Sequence, residues 1–350
     1  MHKFARFLGL SVASLSLLLL LVTPTAAQYK RRDLVSNVNG KAVNTDTNLV
    51  NSWGMAFFPH GPFWVANDGS GVSTLYGPNG GAVSLVVTVP AAPTGMVANP
   101  TTDFVVSKNG NSGPAAFMFA SFGGTISGWN PKVDHTNAVV AVDNSGQASP
   151  PFYSGLAIGV SSSGKNFIYA ADVGNNKVDV YDGGFHFVKS FTDPSIPSGF
   201  AAFGIQNIQG QLYVTFAGFL SAAAGGFVDV FDTDGNFIKR FASLGELNLP
   251  WGMALAPNDF GEFSNDVLVG NLGNGNIAAF GQDGSFKGLL KDDDGQYISI
   301  DGLWSIAFGT DPSANGRTNQ LFFTGGPVFY QQGLFGVIEV DSRAGNKCTQ

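Results

Sequence analysis

Ile168-Tyr169-Ala170-Ala171-Asp172-Val173-Gly174-Asn175-Asn176-Lys177-Val178-Asp179-Val180-Tyr181 reads as strand, tight turn, strand. Each apolar run is too short for a helix and rich in β-branched and aromatic residues. The Gly-Asn-Asn between them tolerates positive φ. Residues 63–76, around Gly69-Ser70-Gly71, and residues 267–280, around Gly273-Asn274-Gly275, repeat the arrangement.

Upstream of these pairs, a small-residue-plus-apolar motif opens another strand. It occurs as Trp53-Gly54-Met55-Ala56, Thr94-Gly95-Met96-Val97, Ser154-Gly155-Leu156-Ala157, Phe203-Gly204-Ile205, Trp251-Gly252-Met253-Ala254 and Leu303-Trp304-Ser305-Ile306-Ala307. The sixth copy lacks the glycine. Downstream, residues 182–191, 232–241 and 282–290 each run from a Gly turn into alternating apolar and polar residues, as an outermost strand with one wet face requires. Six copies of a four-stranded unit of roughly 40–50 residues, without helices, predict an all-β, six-bladed β-propeller with four-stranded antiparallel blades.

The ends fit a closed ring. The last copy stops at a third strand, Leu334-Phe335-Gly336-Val337-Ile338-Glu339-Val340, whereas residues 29–35 precede the first opening motif unassigned. The N-terminal segment is therefore expected to supply the outer strand of the last blade, leaving no open edge. A seven-bladed ring is the alternative, because 60 residues separate Thr94 from Ser154. Residues 139–143 are assigned instead to the outer strand of the second blade, followed by a long connection.

Composition agrees: 47 Gly, 31 Phe and 12% charged residues suit short strands, tight connections and a large core. Basic residues His2, Lys3 and Arg6, an apolar run from Leu8 to Val22, and Thr25-Ala26-Ala27 predict a signal peptide over 1–27, with cleavage before Gln28. The run is short for a membrane span. The expected organisation is a leader (1–27), one propeller domain (28–341) and a polar tail (342–350), giving a secreted or periplasmic monomer with no membrane span after cleavage. Loss of Lys3 and Arg6 leaves 16 basic against 25 acidic residues, a net charge near −9 that disfavours nucleic acid as a partner. Cys348 is the one cysteine, so no internal disulfide is possible.

The run from Tyr169 to Tyr181 resembles the core of an NHL repeat, with its aspartate, glycine-asparagine-asparagine turn and basic residue before an apolar strand. With the repeat spacing, the likeness extends over the mature chain, and the whole resembles a family of exported bacterial NHL-like propellers. The resemblance implies the fold and no particular chemistry.

Ligands of propellers most often sit where loops enter the innermost strands. Those loops carry Asn51, Trp53, Tyr153, Trp251, Asp301 and Trp304 as candidate ligand-binding residues, the aromatics either stacking on a ligand or wedging between blades. The first functional expectation is a binding or scaffolding module for a protein, glycan or small molecule, without a cofactor. The alternative is a calcium-dependent lactonase or esterase, as in gluconolactonase- and paraoxonase-like propellers, with Asn48, Asn51 and Asp301 as oxygen ligands. His60, His135 and His186 form no grouping with a nucleophile or with each other in sequence.

Overall fold

Six blades of four antiparallel strands form the ring in a computed structural model, which describes residues 29–341; the sixth blade's sheet also carries a short parallel strand, Asn44–Thr45, beside its outer strand. Residues 1–27, where a leader is expected, Gln28, the tail from 342 and Cys348 lie outside the described residues. The innermost strands are Ser52–Ala56, Pro93–Ala98, Tyr153–Val160, Ala201–Ile208, Pro250–Leu255 and Leu303–Phe308, each beginning at an opening motif. In five blades the sequence then proceeds outward strand by strand.

The sixth blade is closed from the other end of the chain. Tyr29–Ser36 pairs antiparallel with Leu334–Val340, from Tyr29 opposite Val340 to Ser36 opposite Leu334. Tyr29 is fully buried, its ring against Phe260 and Phe263 of blade 5, and its hydroxyl donates to the Phe260 carbonyl at 2.9 Å. Val139–Asp143 is the outer strand of blade 2, as assigned from the sequence. Much of the extra length in that blade is a hairpin, Val105–Lys108 with Asn111–Pro114, inserted between its first and second strands. Phe104 and Val106 carry the hairpin into the seam with blade 3.

Apolar packing follows the ring. Each of the six seams between blades holds one cluster of buried side chains, and a seventh cluster lies on the axis. At the first seam, for example, Trp64 of blade 1 stacks on Phe117 of blade 2 at 4.2 Å. The motif glycines explain how the innermost strands come so close. A methyl group on Gly54, Gly95, Gly204 or Gly252 would meet backbone of the next blade's innermost strand at under 3.0 Å. Every innermost pairing also shifts register at this motif, which marks a bulge where the strands turn around the axis.

Blade 4 contains a charged cluster with a pH consequence. Arg240 on its outer strand binds Asp229 through Nε, and its Nη2 lies 2.7 Å from Asp193 Oδ2 in the connection from blade 3. Burial pushes the Asp229 carboxyl up to about 7, despite the pull of Arg240. Burial also opposes ionisation of Asp193, but bonds from Ser195 and Arg240 outweigh it and hold that carboxyl at about 2. One arginine thus faces two acids, and the more buried carboxyl holds its proton to higher pH. A carboxyl raised in the fold favours folding below its ordinary value near 3.8 and loses that contribution as pH climbs through about 7. The melting temperature is expected to fall by a few degrees between pH 5 and pH 8.5, and Asp229→Asn to flatten that fall. Equal pH profiles for the two proteins in thermal melts would refute this reading.

Candidate functional site

Close approach at the motif glycines places the six innermost strands side by side, so that each position of the motif becomes a ring of six residues. The position just before the glycine, or before Ser305 in the sixth copy, holds Trp53, Thr94, Ser154, Phe203, Trp251 and Trp304. Thr94 and Ser154 turn their hydroxyls to the carbonyls of Tyr153 and Phe203 on the following blades, at 2.6 and 2.7 Å. The four aromatics meet on the axis. Trp53 and Trp304 are edge to face at 3.8 Å, Trp251 and Trp304 at 5.8 Å, and loop residues Phe122 and Phe219 pack against Trp53 and Phe203.

This cluster plugs the end of the ring where ligand binding was expected. Trp53 is 1% exposed, Trp304 0% and Trp251 8%. The Trp304 indole donates to Asn51 Oδ1 at 3.1 Å, and the Asn51 amide donates to Asp68 Oδ2 at 2.8 Å. Burial raises the Asp68 carboxyl above its usual range, with the Asn51 bond opposing. The Trp251 indole donates to the Ser154 carbonyl at 3.1 Å. The three tryptophans therefore come together and face one another, not the solvent.

The remaining candidates are engaged separately. Tyr153 is fully buried at the seam of blades 2 and 3, where its hydroxyl lies 2.9 Å from Asp179 Oδ2 and 2.7 Å from the Tyr181 hydroxyl. Burial first, then the Asp179 charge, raises its phenol well above the usual value. Asp301 is exposed and accepts the Val328 N–H at 2.9 Å, fixing a turn whose residues Val328, Phe329 and Tyr330 all have positive φ. Tyr330 covers Trp304 from that turn at 5.7 Å. For a calcium ion the donor set would be Asn48, Asn51 and Asp301. The Asn51 oxygen is committed to an indole, and Asn48 takes part through its backbone only, with Asp46 and Ser70. No group of three His, Cys, Asp or Glu residues suited to a metal occurs among the described residues.

The open space lies at the opposite end, where the innermost strands leave the axis. A cavity of about 590 Å³ is walled by all six of them, from Met55–Phe57, 96–98, 156–158, 206–209, 253–255 and 305–308. A neck of about 20 Å³ continues it inward to the glycine ring and Trp251. Met55, Met96, Leu156, Met253 and Ile306 contribute apolar surface. The polar side chains of the wall are Gln206, Asn207, Gln209 and Ser305. No Asp, Glu, Lys, Arg, His, Tyr or Cys side chain lines it among the described residues. The arrangement can hold an apolar body and hydrogen-bond an uncharged group; it offers no acid, base or counter-ion.

None of these cavity residues was singled out from the sequence as a candidate site. A signal was present in the opening motif: read down the six copies, the residue after Met or its equivalent is Ala56, Val97, Ala157, Gln206, Ala254 and Ala307. One polar side chain interrupts a small apolar series.

No protein-family model matches the chain. Uncharacterized protein R648 of Acanthamoeba polyphaga mimivirus is 31% identical over 317 residues, covering 85% of this chain and 76% of the relative. Protein L690 of the same virus is 29% identical over 301 residues, covering 80% and 79%. These relatives are viral, where the repeat resemblance implied exported bacterial proteins. Among solved structures, a streptogramin B lyase aligns with a TM-score of 0.54 at 12% identity, over 90% of this chain and 98% of the other. A gluconolactonase from Xanthomonas campestris aligns with a TM-score of 0.53 at 14% identity, over 83% and 86%. At such identities the likeness shows the fold alone: a six-bladed propeller.

Proposed function

The chain belongs to the family of uncharacterized protein R648 of Acanthamoeba polyphaga mimivirus, and on that premise we propose that it is a binding propeller that takes a small, uncharged ligand into the open end of its ring. The observation that supports this reading is the 590 Å³ cavity whose wall, drawn from all six blades, carries no titratable side chain. Its volume lies within the range of small-molecule pockets, and aliphatic side chains share its wall with polar backbone and the side chains of Gln206, Asn207, Gln209 and Ser305. Acid–base catalysis would need a group able to exchange a proton with the ligand, and this wall supplies none. The lyase and lactonase activities of the structural neighbours are left with those proteins, since 12–14% identity carries the ring and not its chemistry. Export as a monomer after removal of residues 1–27 is part of the same proposal. No helix among the described residues is long and apolar enough to cross a membrane.

A fluorescence titration with the neutral probe N-phenyl-1-naphthylamine tests the reading. Saturable binding is expected, and Ala98→Trp, which adds bulk to a half-buried position of the wall, should weaken it at least tenfold without altering the fold seen by circular dichroism. Tyr330→Ala, at the plugged end, should leave the affinity within twofold. Binding that ignores Ala98→Trp, or no saturable binding, would overturn the proposal.

A further inference from the structure

We propose that Gln206 and Ser305 form a polar floor in the cavity and select an uncharged ligand bearing an amide or hydroxyl group on an apolar body. This rests on the cavity being the binding site. Both residues are places where one blade departs from the other five. Gln206 occupies a position filled elsewhere by alanine or valine, and Ser305 replaces a glycine found in every other copy. The ring does not need either polar group to close, because the same seam geometry is built without them in the remaining blades.

Neither side chain is used by the protein itself. Gln206 is exposed although it lies within a strand, and its amide makes no hydrogen bond among the described residues. The Ser305 hydroxyl makes none either, while its backbone N–H is fixed by Thr324 Oγ1 at 3.0 Å. The neighbouring polar residue behaves differently: Asn207 spans the seam, donating to the Ile158 carbonyl at 2.9 Å and accepting from the Gly210 N–H at 3.0 Å. It is a structural amide, and Gln206 is a free one.

Gln206 and Ser305, from blades 4 and 6, line both the cavity and its neck beside apolar Met, Leu and Ile side chains, Ser305 in the glycine column and Gln206 two positions nearer the open end. A primary amide offers two donors and one acceptor, and a hydroxyl offers one donor and two lone pairs. Together they match a ligand amide or hydroxyl. A carboxylate or ammonium group would be desolvated there without a partner of opposite charge. The ligand therefore enters head first, its polar group toward the neck and its apolar body against the wall.

The test uses one skeleton with four heads: butylbenzene, 4-phenylbutan-1-ol, 4-phenylbutanamide and 4-phenylbutanoate, each displacing N-phenyl-1-naphthylamine at pH 8. The native protein should bind the amide and alcohol at least fivefold more tightly than butylbenzene, and the carboxylate at least tenfold more weakly than the amide. Gln206→Leu with Ser305→Ala should abolish the preference over butylbenzene while butylbenzene itself still binds. A preference that survives in the double variant, or is missing from the native protein, overturns the proposal while leaving the cavity as the binding site. If no skeleton displaces the probe, or the probe itself does not bind, the cavity reading fails as well.

Discussion

Deletion of residues 29–36 is expected to prevent folding to a soluble monomer, a larger effect than any single substitution in the ring should have. The deletion strips blade 6 of its outer strand and leaves Leu334–Val340 as an unpaired edge, with Phe335, Val337 and Ile338 losing cover. An exposed, apolar edge strand is a template for aggregation. It also removes Tyr29 from its slot against Phe260 and Phe263, a loss that alone should cost about 3–5 kcal/mol by analogy with large-to-small core replacements. Size-exclusion chromatography and thermal melts check the outcome. A synthetic peptide of residues 29–36 added in trans should restore part of the folded monomer by strand addition. A deletion protein that stays monomeric and melts within 2 °C, roughly the shift of a 1 kcal/mol change, would show that closure does not hold the ring.

The second large effect is expected from a single methyl group. In Gly204→Ala, the new Cβ would press on the carbonyl group of Trp251 in the next blade, and on Thr215 Oγ1 at 3.0 Å. Backbone cannot rotate aside as a long side chain can, so the seam between blades 4 and 5 must widen. A destabilisation of about 3–5 kcal/mol, or roughly 5–8 °C in melting temperature for a domain of this size, is expected. Gly146→Ala is the matched control, since nothing lies within 4 Å of its methyl position and its φ is not positive. It should change stability by less than about 0.5 kcal/mol. Equal melting of the two variants would mean that the glycine ring is not what sets the spacing of the innermost strands.

Much of this architecture was legible because a repeat reports the same physics six times. Strand length, the Gly-Asn turns and the opening glycine recur, and the unpaired third strand at one end predicts the spare strand at the other. The inserted hairpin at 105–114 was less legible, since a lone pair of short polar strands resembles a connection until Phe104 and Val106 are seen to anchor it on blade 3. Which end of the ring is open was not legible at all. Trp53, Trp251 and Trp304 stand at the starts of innermost strands, and the sequence does not say whether such rings open toward solvent or close on one another. Their mutual packing, the Asn51–Trp304 bond and the cover from Tyr330 decide it. Tyr153 was equally ambiguous, because its partner Asp179 lies 26 residues away and is brought opposite only by the sheet. Gln206 and Ser305 were visible as departures from their columns. What the sequence withheld was that both columns open into one cavity.

A plugged end and an open end give the propeller a polarity that its strand count does not. The plug supplies a floor of buried aromatics, and the cavity above it narrows toward the free groups of Gln206 and Ser305. The most direct test of that polarity is the crystal structure of the protein soaked with N-phenyl-1-naphthylamine. The probe is expected between Met55, Met96, Met253 and Ile306 at the open end, with Trp53 and Trp304 still in contact beneath it. A probe seated instead at the other end, on Tyr330 and a displaced Trp304, would contradict it.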